Sequence, residues 1–227
     1  PGKLHVRKLN VADEAEVAHY RAVFAALRQA GLDPMVTVNH FTLPVWVHDP
    51  TTARQLSEQQ FMQLFRDEAG ALLSLPQHNN LARFVTFDLA ARPKPILVME
   101  LIRGTSLDRL VRSRSLTLEA VLDHLDGVLA GLQAMHRVGV GHLDLKPSNV
   151  ILRGGEIPVL VDFGLSGRQL RPGCGTLEYV APEVLGVVPR GHTPSPLAAD
   201  MYSFACTAFE LLTTHLLFDG EDETSIM

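Results

Sequence analysis

The chain has 227 residues, of which 46% are hydrophobic, so it can bury the core of one large domain or two small ones. Its net charge of -5, without a block of like charges, excludes a basic groove for nucleic acid and a face that binds anionic membranes. It has no long apolar run and does not open with a signal segment, so we expect neither a membrane segment nor secretion. The two cysteines, Cys174 and Cys206, are too few for a disulfide scaffold and indicate a cytoplasmic location.

The first 38 residues have the pattern of a strand, a helix and a second strand. Leu4 and Val6 alternate as on a strand, and apolar residues then recur at helical spacing, which predicts a helix over 13–30 that ends at Gly31. Residues 35–38 form a short run typical of a buried strand. Together they predict one βαβ unit of a parallel sheet.

From about residue 56 the pattern is again mixed but richer in helix. Glu68 lies on the apolar stripe of a first helix, where a carboxylate requires a cation. We predict strands over 82–87, 96–99, 150–152 and 159–161, and a helix near 199–213 that turns Phe204, Ala208, Leu211 and Leu212 inward. A longer helix before Gly139 is predicted to bury a stripe made of Leu118, Val121, Leu122, Leu125, Val128, Leu129, Leu132 and Met135.

Two short segments carry the residues suited to phosphate chemistry. Residues 142–149 contain Asp144, Lys146 and Asn149, and Asp162 follows thirteen positions later. Asn149 and Asp162 offer the hard oxygen ligands that Mg²⁺ prefers, Lys146 can neutralise a phosphoryl group, and Asp144 can accept a hydroxyl proton. Taken singly, such residues more often cap turns or face solvent, so only the combination favours phosphoryl transfer.

These segments resemble the catalytic loop and the metal-binding loop of the eukaryotic-type Ser/Thr protein kinase family. Residues 175–183 resemble the end of that family's activation segment, residues 200–204 the start of its central helix αF, and residues 97–100 its hinge strand. The resemblance extends over about 55–227, from the family's helix αC through αF. It implies an ATP and Mg²⁺ cofactor pair and a protein substrate with Ser or Thr as partner.

The resemblance also assigns roles to single positions. It implies Asp144 as base and Lys146 as the γ-phosphate contact, with Asn149 and Asp162 as Mg²⁺ ligands. Thr176 would shape the substrate pocket. For the nucleotide it implies Glu68 as the αC carboxylate that pairs with a lysine, Met99 as gatekeeper, the backbone of Glu100 and Ile102 facing adenine, and Ile151 as the floor beneath the base.

Two departures from the family pattern lie near these loops. Leu143 stands where most relatives have Arg, so a phosphate on the activation segment would lack its bidentate partner. Between Gly164 and Ala181, Ser166 and Thr176 are the only aliphatic hydroxyls, and Thr176 is expected to shape the pocket rather than receive phosphate. His142 is expected to pack and form hydrogen bonds within the loops, as its family counterpart does.

A larger departure lies upstream. No glycine cluster precedes Glu68, and none of the four lysines stands on a third-strand motif, so the phosphate-covering loop and its lysine are absent. This predicts impaired transfer. It also leaves open a second function, a pseudokinase or scaffold that binds nucleotide without transferring phosphate.

Residues 1–54 resemble a different family. The string over 18–21 and 31–50 is similar to the early barrel region of family 1 glycoside hydrolases, in which His40 would contact a sugar hydroxyl. A glycoside hydrolase fragment is therefore a third functional alternative. The predicted fold class is α+β: a βαβ fragment resembling part of a TIM barrel over 1–54, then an incomplete kinase-like fold over 55–227, with a partial N-lobe and a mostly helical C-lobe that stops after αF.

Overall fold

The computed structural model describes residues 70–88, 96–170, 172–188, 191 and 193–219, together with three helical positions, Ala22, Ala25 and Gln29. These three lie within the helix predicted over 13–30. The rest of the predicted βαβ unit and of the TIM-barrel-like piece, His40 and Glu68 lie outside the described residues.

The chain divides into two compact units. The first consists of Pro1–Val36 and Val85–Leu101, and the second of Thr37–Phe84 and Ile102–Met227. Strand β1 (Phe84–Asp88) starts at the boundary and pairs with strand β2 (Ile96–Met99) in a two-stranded sheet. β2 has the predicted bounds, and β1 begins two residues later than predicted.

The second unit contains a three-stranded antiparallel sheet in the order β3, β4, β5. β3 is Gly104–Ser106, β4 is Val150–Arg153 and β5 is Ile157–Leu160. In this register Ile151 lies opposite Ser106 on one side and Val159 on the other. The prediction was right for the start of β4 and placed β5 two residues too late.

Among the described residues, three helices with defined bounds and one 3-10 turn accompany this sheet, and residues 70–73 are also helical. Helix α1 is Leu107–Ser113, α2 is Leu118–His136 and α3 is Pro196–Thr213, while the 3-10 turn, Pro147–Asn149, leads directly into β4. The Thr117 hydroxyl caps α2 by accepting a hydrogen bond from the N–H of Ala120. α3 begins three residues before the predicted start because Pro196 suits the first helical turn, where its missing N–H is not needed. No helix in the described ranges is long and apolar enough to cross a membrane.

Helix α2 packs closely on β5. A Cβ atom at Gly131 would lie 3.0 Å from Leu160 Cδ1 and 2.9 Å from the carbonyl oxygen of Asn80, so glycine permits this approach. The buried face of α2 consists of Val121, His124, Leu125, Val128, Gly131, Leu132, Ala134 and Met135.

The predicted helix stripes were partly wrong. On α2, Leu118 and Leu122 are 66% and 54% exposed, since Leu122 is turned about 100° around the axis from buried Val121. On α3, Leu211 is buried, Phe204 and Ala208 are partly buried, and Leu212 is 50% exposed. The inward face of α3 is more polar than predicted, with Ala199, Asp200, Ser203, Cys206, Thr207 and Leu211 buried.

Candidate active site

His142 joins the loop between α2 and β4 to the segment after β5. Its side chain is fully buried, its Nε2 lies 3.1 Å from the carbonyl oxygen of Val161, and its ring is tilted against Phe163 at a centroid distance of 5.5 Å. Gly141 and Gly167 pair as an antiparallel bridge beside it. The prediction that His142 packs and bonds within the loops is confirmed.

A backbone hydrogen bond joins the two strand ends beside which the predicted metal ligands lie. Asn149 immediately precedes β4, and its carbonyl oxygen accepts a 3.0 Å hydrogen bond from the N–H of Val161. Asp162 is the next residue and adopts a left-handed conformation with φ 63°. Such a conformation is uncommon for a residue other than glycine.

Three side chains meet at the carboxylate of Asp144. The Thr176 hydroxyl donates to Asp144 Oδ1 at 2.7 Å, while Lys146 Nζ donates to Oδ2 at 2.9 Å. Lys146 Nζ also donates to the Thr176 oxygen at 2.6 Å, so these three residues form a closed ring of hydrogen bonds. Asn149 completes the network from its amide nitrogen, 3.0 Å from Asp144 Oδ2 and 2.8 Å from the Asp144 carbonyl oxygen.

This network is open to solvent, but its charged side chains are only slightly exposed. The side chains of Lys146 and Asp144 are 22% and 14% exposed, and Asn149 is buried. A charged donor and a charged acceptor in a partly desolvated position form stronger hydrogen bonds than an exposed pair. The arrangement therefore holds a carboxylate, an ammonium and a hydroxyl in fixed positions with access to solvent.

The orientation of Asn149 fits a role as a metal ligand. Both of its hydrogen bonds use the amide nitrogen, so the amide oxygen is the atom left for a cation. An amide oxygen and the Asp162 carboxylate are ligands of the type Mg²⁺ binds, with phosphate oxygens and water completing its shell. Among the described residues no group of three or more His, Cys, Asp or Glu side chains could hold a metal.

Asp200, near the start of α3, fixes the loop between α2 and β4 by hydrogen bonds. Its carboxylate is fully buried and accepts hydrogen bonds from the N–H groups of His142 at 2.8 Å and Leu143 at 2.7 Å. His136 Nε2, at the end of α2, lies 2.8 Å from the same carboxylate. Sequence reasoning noted Asp200 as part of a motif but missed this role, for which the only signal was a charged residue on the inward face of a helix.

The hydroxyl groups between Gly164 and Ala181 all have partners. Buried Ser166 donates to the carbonyl oxygen of His142 at 3.0 Å, and Thr176 belongs to the ring at Asp144. The Tyr179 hydroxyl donates to a Glu210 carboxylate oxygen, and burial together with Glu210 raises the pKa of Tyr179. Thr176 lies beside the predicted base, and its role in shaping the substrate pocket stays a prediction.

Four of the predicted nucleotide contacts lie within the described residues. Met99 ends β2 and Glu100 follows it in the first unit, whereas buried Ile102 and half-buried Ile151 belong to the second. Glu68 lies outside the described residues, so its predicted lysine pairing stays a prediction.

Comparisons with known proteins show the family to which the chain belongs. Residues 51–227 match the family model described as protein kinase domain. Serine/threonine-protein kinase PknL of Mycobacterium bovis is 36% identical over 183 residues, which are 77% of this chain and 44% of that protein. A serine/threonine-protein kinase of Corynebacterium efficiens is 32% identical over 178 residues, 74% of this chain and 33% of that protein. Ribosomal protein S6 kinase alpha-2 of Homo sapiens is 38% identical over 142 residues, 59% of this chain and 19% of that protein.

The chain spans less than half the length of these curated relatives. The match begins at residue 51, and these comparisons give no support to the glycoside hydrolase resemblance of residues 1–54. The mixed helices and strands of the second unit, with the catalytic-loop network at its strand ends, agree with a partial kinase fold. The chain belongs to the protein kinase family.

Proposed function

We propose that this chain contains the catalytic region of a Ser/Thr protein kinase, which transfers the γ-phosphate of ATP to a hydroxyl group of a protein substrate. The observation that carries this proposal is the ring in which Asp144 binds Thr176 through one oxygen and Lys146 through the other. Few structural roles require a carboxylate, an ammonium and a hydroxyl to be held together at a partly open site.

Asp144 is proposed as the base that accepts the hydroxyl proton. Its Oδ1 already accepts a hydrogen bond from an aliphatic hydroxyl, that of Thr176, at 2.7 Å. A Ser or Thr hydroxyl of a substrate presents the same donor, so the geometry suits proton acceptance from such a group. Asn149, bonded to the other oxygen, holds the carboxylate in place.

Lys146 is proposed to stabilise the charge that develops on the transferred phosphoryl group. Its ammonium is already fixed between Asp144 and Thr176, so little reorganisation is needed during the reaction. Asn149 and Asp162 are proposed to hold Mg²⁺, which when bound neutralises phosphate charge. The nucleotide roles that the kinase resemblance implies for Met99, Glu100, Ile102 and Ile151 stay predictions.

We further propose that transfer by this chain is slow. No glycine cluster precedes residue 68, and Lys146 is the only lysine that follows Lys94, so no lysine stands at a third-strand position. Removing a single electrostatic donor from a site of this kind lowers the rate by about 10²–10³. The same absence favours the second candidate, a domain that binds nucleotide and metal without transfer.

Two measurements on the whole chain separate these candidates. The first is the shift in melting temperature on adding ATP with MgCl₂, compared with ATP and EDTA; a shift that depends on magnesium supports both candidates, and no shift excludes both. The second is transfer of labelled γ-phosphate from ATP to dephosphorylated casein. Binding with transfer supports the kinase, and binding without transfer supports the nucleotide-binding module. A cytoplasmic location is proposed because the chain has only two cysteines, Cys174 and Cys206.

A further inference from the structure

The turn between α1 and α2 brings two serine hydroxyls together at the surface. Ser113 is the last residue of α1, and Arg114 follows it in a left-handed conformation with φ 49°, so the chain changes direction there. The Oγ atoms of Ser113 and Ser115 lie 2.8 Å apart, and both residues are exposed. The turn therefore presents a pair of hydroxyl groups to solvent.

The oxygen of Ser115 is the one that carries no other bond. Ser113 donates its single hydroxyl hydrogen to the carbonyl oxygen of Leu110 at 3.0 Å, so Ser115 is the donor in the contact between the two serines. Within the described ranges no donor reaches Ser115 Oγ, whereas the hydroxyl oxygen of Thr117 already accepts the N–H of Ala120. Of the three hydroxyls in this turn, that of Ser115 is thus the most available for reaction.

Exposed arginines flank this serine without enough acidic residues to balance them. Residues 107–117 contain Arg109, Arg112 and Arg114 but one acidic residue, Asp108, and three positive charges less one negative charge give +2 in a chain of net charge -5. Arg112 Nη2 donates to Asp108 Oδ2 at 2.6 Å, while the Arg112 side chain stays 78% exposed. Arg109 and Arg114 have no carboxylate partner in the part of the chain that the structure describes. The turn therefore carries uncompensated positive charge.

A phosphate group on Ser115 would compensate this charge. It carries about -1.5 to -2 charges at neutral pH and has three acceptor oxygens, which guanidinium groups bind in pairs. Arg114 is the preceding residue, and Arg112, three positions before Ser115, keeps further N–H groups besides the one that binds Asp108.

The two helices also favour Ser115 over Ser113 as the phosphate carrier. Ser115 lies two residues before Thr117, the N-cap of the 19-residue helix α2, where the helix dipole stabilises negative charge. Ser113 ends α1, and a phosphate at the C-terminus of a helix is destabilised by the dipole.

We propose that Ser115 is a phosphorylation site, modified by a Ser/Thr protein kinase that recognises arginine on the N-terminal side of its target. Ser115 Oγ forms a bond to the γ-phosphorus of ATP, the bond from that phosphorus to the bridging oxygen breaks, ADP leaves, and the hydroxyl proton passes to the base of the modifying kinase. The phosphate then links the end of α1 to the start of α2 through Arg112 and Arg114. The chain is the substrate in this reaction, so the inference does not depend on its own proposed transfer activity.

The test uses the whole chain with Asp144→Asn, which removes the proposed base, so that transfer comes from an added enzyme. The chain is incubated with labelled ATP, MgCl₂ and the catalytic subunit of cyclic-AMP-dependent protein kinase, which prefers arginine before serine, and a sample without this enzyme is the blank. We expect a single phosphate, located at Ser115 by mass spectrometry of peptides. Ser115→Ala should abolish the labelling, and Ser113→Ala should retain it.

The arginines are tested by the rate of labelling. Arg112→Ala should lower the rate by about tenfold, because the charge that the modifying kinase recognises is lost. Arg137→Ala, which removes an exposed arginine at the other end of α2, is the matched control and should leave the rate unchanged.

A second measurement examines the linkage between the helices in a chain with phosphoserine incorporated at position 115 during translation. Its melting temperature should lie about 2–4 °C above that of the unmodified chain, because charge-assisted bonds join α1 to α2. The gain should disappear when Arg112→Ala and Arg114→Ala are combined, and it should shrink in about 0.5 M NaCl, which screens exposed charges. Phosphoserine at position 113 should give no gain.

The inference is overturned if the folded chain takes up no phosphate at Ser115, or if the label is found at Ser113 or Thr117 instead. A melting temperature that phosphoserine at position 115 leaves unchanged or lowers would also contradict it, since Arg112 and Arg114 would then not bind the phosphate.

Discussion

The N–H of Leu143 donates a 2.7 Å hydrogen bond to Oδ1 of Asp200, across 57 positions of the chain. Leu143 has a left-handed backbone, which costs about 1–2 kcal/mol for a residue with a side chain. Oδ2 of the same carboxylate accepts the N–H of His142, so two consecutive amides are fixed just before the proposed base, Asp144. A buried charge on α3 thus stabilises a strained turn that determines where Asp144 lies.

Replacing Asp200 by Asn should destabilise the second unit. An amide keeps the size of the side chain but one of its terminal atoms can only donate, so one of the two backbone N–H groups loses its acceptor. We expect the free energy of unfolding to fall by about 2–4 kcal/mol, as measured by urea denaturation. Asp126→Asn, at an exposed position on α2, is the control and should change it by less than about 0.5 kcal/mol. Equal stability of the two variants would contradict the supporting role of Asp200.

Replacing Thr176 by Val should slow phosphoryl transfer while Thr176→Ser should not. Val removes the hydroxyl that bridges Lys146 and Asp144, whereas Ser keeps it. Hydrogen bonds to charged groups contribute about 1.5–3 kcal/mol, so we expect the rate of casein phosphorylation to fall by roughly tenfold to a hundredfold. A Val variant as active as the Ser variant would show that the ring does not position the base.

Burial of His124 predicts a loss of stability in mild acid. Burial lowers the pKa of His124, and the smaller opposing effect comes from Asp123. The folded chain therefore binds a proton at His124 less readily than the unfolded chain, in which the imidazole has a pKa of about 6.5. The contribution of neutral His124 to stability is complete above about pH 6.5. It is lost as the pH falls through the lower pKa of His124 in the folded chain.

The measurement is the free energy of unfolding between about pH 5 and pH 8. His124→Leu should flatten the decline below about pH 6.5, because the buried ring that resists protonation is gone. Leu122→Ala, at an exposed position of the same helix, is the control and should keep the wild-type slope. An unchanged slope in His124→Leu would assign the acid sensitivity to other groups.

Replacing Thr207 by Val should stabilise the chain. The Thr207 side chain is fully buried in α3, and its hydroxyl has no hydrogen-bond partner within the part of the chain that the structure describes. Val has nearly the same shape without the unsatisfied group, so we expect a gain of about 1 kcal/mol in the free energy of unfolding. Differential scanning calorimetry would reveal a higher melting temperature, and a lower one would indicate that the hydroxyl has a partner.

The sequence was most informative where several residue types of one chemistry stand close together. Asp144, Lys146 and Asn149 fall within six positions, so their meeting could be predicted, and the strands that flank them could be predicted from short apolar runs. The bond between Thr176 and Asp144 spans 32 positions and depends on how the segment folds back. No periodicity encodes such a contact.

Burial was harder to predict than secondary structure. Leu122 was expected to be buried because it is apolar, but it lies outside the face of α2 that meets β5 and is exposed. His124 lies on that face and is buried. On α3 the buried side includes Asp200 and Thr207, which no apolar stripe would mark. Asp200 is buried there because backbone N–H groups such as that of Leu143 satisfy its carboxylate, and that partner is distant in sequence.

The most direct test of the proposed chemistry compares the wild-type chain with Asp144→Asn. The account predicts that the wild-type chain transfers labelled γ-phosphate from ATP to casein slowly, and that Asp144→Asn lowers this rate by at least about a hundredfold. The shift in melting temperature caused by ATP and MgCl₂ should remain the same in both, because the substitution leaves Asn149 and Asp162 in place. Equal transfer by the two proteins would contradict the assignment of Asp144 as the base.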